Sequence, residues 1–70
     1  MMPLSFAEKG KDYEIKKVGG NQETKKHLED LGFVSGSKVT IVSDVSGNLI
    51  VNIKESRVAI NRDLANKIYV

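Results

Sequence analysis

The sequence predicts a mainly β domain, about five short strands curled into a small, partly open barrel, with a short helix between the first two strands. Three observations predict it. The chain has 70 residues, 40% of them hydrophobic, which supplies one small core and not two, so every element must touch the same interior. Apolar residues alternate with polar ones in short runs, and these runs are punctuated by Gly19-Gly20-Asn21, Ser35-Gly36 and Ser46-Gly47-Asn48, the pattern of half-buried strands separated by turns. Five short strands in so short a chain cannot bury both faces of an open sheet, and curling removes most exposed edges. Residues 1–70 are therefore read as a single domain.

Tyr13 and Ile15 alternate with Glu14 and Lys16 ahead of Val18, giving a first strand that ends at Gly19-Gly20-Asn21. The alternation slips between Lys17 and Val18, which admits a bulge. Asn21 is a helix N-cap candidate, because its side chain accepts a backbone N–H. Gln22 to Leu31 contains good helix formers with Thr24, Leu28 and Leu31 on one stripe, enough for about three turns. Gly32 follows where a helix-terminating residue sits, and glycine adopts a left-handed conformation there without a Cβ clash. In His27–Val42, HLEDLGFVSGSKVTIV, the hydrophobic period changes from helical to strand-like within a few residues.

Phe33-Val34 continues apolar and is able to fold back on the helix, and Ser35-Gly36 turns into a second strand, Lys38 to Val42. Ser46-Gly47-Asn48 is a hairpin signal leading to Leu49–Ile53, where Leu49, Val51 and Ile53 share one face. Glu55-Ser56 reads as a second tight connection before Arg57–Ile60. Asn61 to Asn66 reads as one helical or 3₁₀ turn capped by Asn61, and Lys67 to Val70 as a last strand. The expected core is Ile15, Leu28, Leu31, Val39, Ile41, Leu49, Val51, Val58, Ile60, Ala65 and Ile68.

The chemistry-bearing residues are few. One histidine, no cysteine and no paired-carboxylate or nucleophile motif leave little material for catalysis, so the chain is not expected to be an enzyme. The absence of cysteine removes any disulfide, thiolate zinc knuckle or redox pair, which suits the cytoplasm. The start lacks the basic and apolar regions of a leader, and no apolar run approaches the ~20 residues that span a bilayer. The net charge is +2 with lysines scattered among acids, which gives little steering toward nucleic acid. The aromatic residues, Phe6, Tyr13, Phe33 and Tyr69, are not interleaved in a lysine-rich strand as base-stacking platforms are.

With Leu4 and Gly10 near the start, the order Leu28-x-x-Leu31-Gly32-Phe33-x-x-Gly36-x-x-Val39, then Gly47, then Val58-Ala59-Ile60-x-x-x-x-Ala65-x-x-Ile68-x-Val70 resembles the FeoA family, the small cytoplasmic component of bacterial ferrous iron transport. The resemblance implies an SH3-like β-barrel with a helix inserted after the first strand. It also implies a non-enzymatic accessory without a cofactor, docking on the cytoplasmic part of a membrane ferrous iron transporter that carries a G domain, and modulating its assembly or GTPase-linked transport. The same module occurs in iron-dependent repressors, but this chain has no DNA-binding helices or metal-sensing domain beside it. His27 stands where family members often carry arginine, and Asn48-Leu49 where a proline often follows the hairpin glycine.

Candidate partner-binding residues are Lys25, Lys26, His27 and Asp30 on the helix, with Glu29, and Phe33 just after it. The charged residues would set on-rate and orientation, and an exposed Phe33 would be an anchor. The competing reading packs Phe33 beneath the helix and leaves both glycines to backbone geometry. His27 and Asp30, three residues apart, lie on one helix face and would reach a common metal ion, but no third donor stands at useful spacing and no metal site is expected. Arg57 and Arg62 bracket the fourth strand, fit either to grip phosphate or carboxylate or to pair with Glu55 or Asp63. Two other readings remain: a nucleic-acid-binding small barrel, which the charge pattern disfavours, and a metal-responsive accessory that forms homo-oligomers by edge pairing.

Overall fold

In the computed structural model, which describes residues 1–70, the first expected strand divides in two. Asp12–Glu14 (β1) joins a four-stranded antiparallel sheet, and Lys17–Val18 (β2) joins a two-stranded ribbon. The chain changes sheets between them. Ile15 donates its N–H to the Ser37 carbonyl at 2.8 Å, and Lys16 donates to the Tyr69 carbonyl at 2.7 Å, while the Ile15 side chain is fully buried at the corner. The slip in alternation is thus a strand break and not a bulge.

The larger sheet runs β1-β3-β4-β5, with β3 at Lys38–Val45, β4 at Asn48–Ile53 and β5 at Ser56–Asn61. β3 is longer than the sequence predicts because it carries the bulge itself. The ladder steps from Ile41 opposite Val51 to Ser43 opposite Ile50, so Val42 is extra and the strand continues to the hairpin. Ser46 and Gly47 have φ of 52° and 81°, the two successive positive values of a type I′ turn. The β4–β5 turn falls at Lys54-Glu55, one residue earlier than expected, with Ile53 opposite Ser56.

The ribbon pairs β2 with β6, Ile68–Tyr69. Along the other side of β6 runs the chain's start, where Pro3 bridges Tyr69 and Met2 and Val70 exchange two backbone hydrogen bonds of 2.9 Å. The two sheets do not join into one continuous barrel. A short helix, α2 at Arg62–Ala65, intervenes between β5 and β6 and leaves the outer side of β5 without a strand partner. The result is a small SH3-like β fold with six strands where five were expected.

Helix α1 spans Gln22–Asp30. Asn21 caps it by accepting from the Thr24 N–H at 2.8 Å, satisfying one orphan donor. At the other end Gly32, φ +107°, donates to the Glu29 carbonyl at 3.0 Å and Phe33 donates to the Leu28 carbonyl at 3.0 Å. These two bonds are the Schellman pattern, and they turn the chain so that Phe33 points inward.

Thirteen apolar side chains form the core: Leu4, Ile15, Val18, Leu28, Phe33, Val39, Ile41, Leu49, Val51, Ile53, Ile60, Ala65 and Ile68. Leu31 and Val58, both expected inside, only pack against it half-buried. Leu31 is the residue at which the helix ends, and Val58 lies on β5, an edge strand paired on one side only. Leu4, on a 3₁₀ turn at Leu4–Phe6 that the sequence reading missed, is fully buried and fastens the start of the chain over the core.

Candidate interaction groove between α1 and α2

Nine residues of α1 place Thr24 and Leu28, with Leu31 after them, toward the sheet, and the 3.6-residue period then fixes the rest. Glu23, Lys26, His27 and Asp30 fall along one flank of that buried stripe. α2 follows the same local logic: Asn61 accepts from the Leu64 N–H at 2.8 Å, which caps the single turn and sets Leu64 facing α1. Glu23, Thr24, Lys26, His27, Asp30 and Leu64 together line an open depression of about 420 Å³. Leu64 is its one apolar lining residue, and all the charged ones come from α1.

Lys26 Nζ lies 3.6 Å from Asp30 Oδ2, with both side chains mostly exposed. Such an i,i+4 pair contributes only about 0.3–0.5 kcal/mol, so its charges remain free to exchange partners at little cost. An apolar spot flanked by exposed charges of both signs suits the core and rim of a protein contact.

The structure redistributes the expected site residues. Lys26, His27 and Asp30 come together in the groove, but Lys25 is not among its lining residues, because one residue's step around the helix carries it to the opposite flank. Phe33 is a correction. Its side chain is fully buried, drawn inward by the glycine cap, and it offers no surface anchor. No third His, Cys, Asp or Glu joins His27 and Asp30 in a group suited to a metal ion. Arg62 pairs with Asp44 at 2.5 Å and Arg57 donates from Nε to Asn52 Oδ1 at 3.2 Å, so neither takes Glu55 or Asp63.

Glu23 and Leu64 are absent from the expected site residues, and Thr24 is expected only as part of the buried helix stripe. Glu23 had a signal, standing four residues before His27 on the same flank. Leu64 had only the Asn61 cap, which fixes its turn but says nothing of which helix the turn meets.

Fold and groove together define a small SH3-like domain that displays a charged helix flank beside a single apolar contact. Comparison with known proteins gives that class a family. The FeoA domain matches residues 2–70, and a Methanocaldococcus jannaschii protein named "Putative Fe(2+) transport protein A" is 36% identical over 70 residues, spanning 100% of this chain and 85% of the relative. This chain belongs to the FeoA family, whose members are small accessories of ferrous iron transport. The solution structure of Chlorobium tepidum FeoA is 26% identical with a TM-score of 0.88, over 97% of this chain and 67% of that one. The zinc-complexed FeoA of Stenotrophomonas maltophilia, described as a prokaryotic SH3 domain protein, is 24% identical with a TM-score of 0.85, over 99% and 88%.

Proposed function

We propose that this chain acts without enzymatic activity of its own, as an accessory that docks on the cytoplasmic part of a membrane ferrous iron transporter carrying a G domain. Docking alters the transporter's assembly or its GTPase-linked transport. The α1–α2 groove carries the reading, since its mixed charges around Leu64 give a surface suited to another protein, and family membership supplies the transport context. Lys26, His27 and Asp30 steer and orient the encounter, while Leu64 supplies the apolar contact. No helix is long and apolar enough to cross a membrane, which accords with a partner that supplies the membrane span. The chain works from the cytoplasmic side.

The test is calorimetry of this protein against the cytoplasmic region of its cognate transporter, nucleotide-free, with GDP and with a GTP analogue. All three states are needed because G domains present different surfaces in each. Saturable binding in at least one state is the expected outcome, weakened by Lys26→Glu. Silence in every state would refute the proposal.

A further inference from the structure

We infer that the free edge of β5 is a self-recognition surface, on which a second copy of this chain adds its own β5 antiparallel and joins two four-stranded sheets. β5 pairs on one side only, with β4. The connection between them is a two-residue turn with Ile53 opposite Ser56, and in such a hairpin those closing residues form a hydrogen-bonded pair, after which bonded and non-bonded pairs alternate. Ser56, Val58 and Ile60 therefore bond inward to β4. Arg57 and Ala59 aim their N–H and C=O groups outward, and neither appears in any backbone hydrogen bond of the turns, loops and caps.

Edges of this kind invite pairing unless something blunts them. The opposite edge of the sheet is blunted: β1 has only three residues and exposes Asp12 and Glu14. β5 has six residues, no proline and no bulge, and its single charge is Arg57. Its inward-facing Val58 is half-buried, whereas Ile60 two residues on is 3% exposed, so one core-facing side chain at this edge still lacks a cover.

The occupant that fits is a second copy, because the strand complements itself about a two-fold axis at Ala59. In that register Ala59 of one copy exchanges N–H and C=O with Ala59 of the other, and the small side chains meet without crowding. Val58 lies opposite Ile60 of the second copy on the inner face, which covers it. Arg57 lies opposite Asn61, so the two cations stand on opposite sides of the axis and do not oppose each other. On the outer face Ile50 neighbours Ala59, and the axis extends that strip from one sheet into the next.

The chain has no cysteine, which makes the register directly testable. Ala59→Cys should oxidise to a covalent dimer, since directly opposed residues of an antiparallel pair fall within disulfide reach. Arg57→Cys should not, because its equivalents lie four positions out of register. Sedimentation equilibrium of the unmodified chain should show a concentration-dependent monomer–dimer equilibrium. Ala59→Pro removes an outward N–H and leaves the ladder to β4 intact, so it should weaken dimerisation about ten-fold or more with an unchanged circular dichroism spectrum. A monomer at every concentration up to millimolar, or a dimer indifferent to Ala59→Pro, would overturn the inference. Cross-linking of Arg57→Cys but not Ala59→Cys would overturn the register. Protection of β5 amides only on adding the transporter's cytoplasmic region would give the edge to a partner strand instead.

Discussion

Replacing Gly32 by alanine isolates what the end of α1 contributes. At φ +107° an L-residue lies beyond even the small left-handed well centred near +57°, and left-handed backbone alone costs an L-residue roughly 1–2 kcal/mol. A Cβ on Gly32 would meet Ile53 Cγ1 at 3.5 Å, an ordinary contact, so crowding adds little. The chain either holds the unfavourable φ or relaxes and loses the bonds to Glu29 and Leu28, each worth about 1 kcal/mol net. Both routes lead to about 2 kcal/mol. For a domain of this size each kcal/mol moves the melting temperature by about 4–8 °C, so Gly32→Ala should lower Tm by roughly 8–16 °C. Urea melts followed by circular dichroism should show a lower midpoint with an unchanged slope. A D-alanine introduced at position 32 by chemical synthesis prefers positive φ and should recover most of the loss. A Gly32→Ala protein within about 0.5 kcal/mol of the parent would refute the argument, since that is the range of changes away from special backbone positions. Equal damage from both enantiomers would shift the cause from handedness to crowding.

Phe33→Ala should cost about 3–5 kcal/mol, the loss expected for a fully buried aromatic, and should be read as lost cooperative unfolding and not as selective loss of binding. Lys26→Glu should leave Tm nearly unchanged and weaken transporter binding several-fold, chiefly through the on-rate and less so at high salt, with Lys25→Glu on the opposite flank as the weaker comparison in surface plasmon resonance. Asn21→Ala removes the cap on Thr24 and should destabilise by about 1 kcal/mol in the same melts. Ser46→Asn places the residue best suited to φ +52° ahead of Gly47 and should raise stability by about 0.5 kcal/mol, a small upward shift of the urea midpoint.

Local chemistry made most of the elements legible. Asn21 and Gly32 bracket α1 because capping is decided within a few residues, and Ser46-Gly47 marks its hairpin for the same reason. The split of the first strand was visible only as a slip at Lys17 and Val18, since whether such a slip bends a strand or sends it to another sheet depends on Ser37 and Tyr69, far away in sequence. Leu4 was missed because a buried residue on an isolated turn has no period to betray it. The groove shows the same division. Helical spacing places His27, Asp30 and Lys26 on one flank and separates them from Lys25, whereas the arrival of Leu64 is a matter of tertiary packing. Phe33 had two readings, and the geometry of the glycine before it decided between them.

The pairing of Met2 and Pro3 with Tyr69 and Val70 bears on how the molecule folds. β2 and the Met2–Pro3 segment find their strand partners only when Ile68 to Val70 dock, more than 45 residues away in the chain. The β3-β4-β5 meander needs only neighbouring hairpins and closes its loops at small entropic cost, so it can assemble early. Leu4, Val18 and the apolar inner side of the meander must wait exposed meanwhile. Until the terminal segment docks, those apolar surfaces are where an incompletely folded chain is most prone to associate with its neighbours.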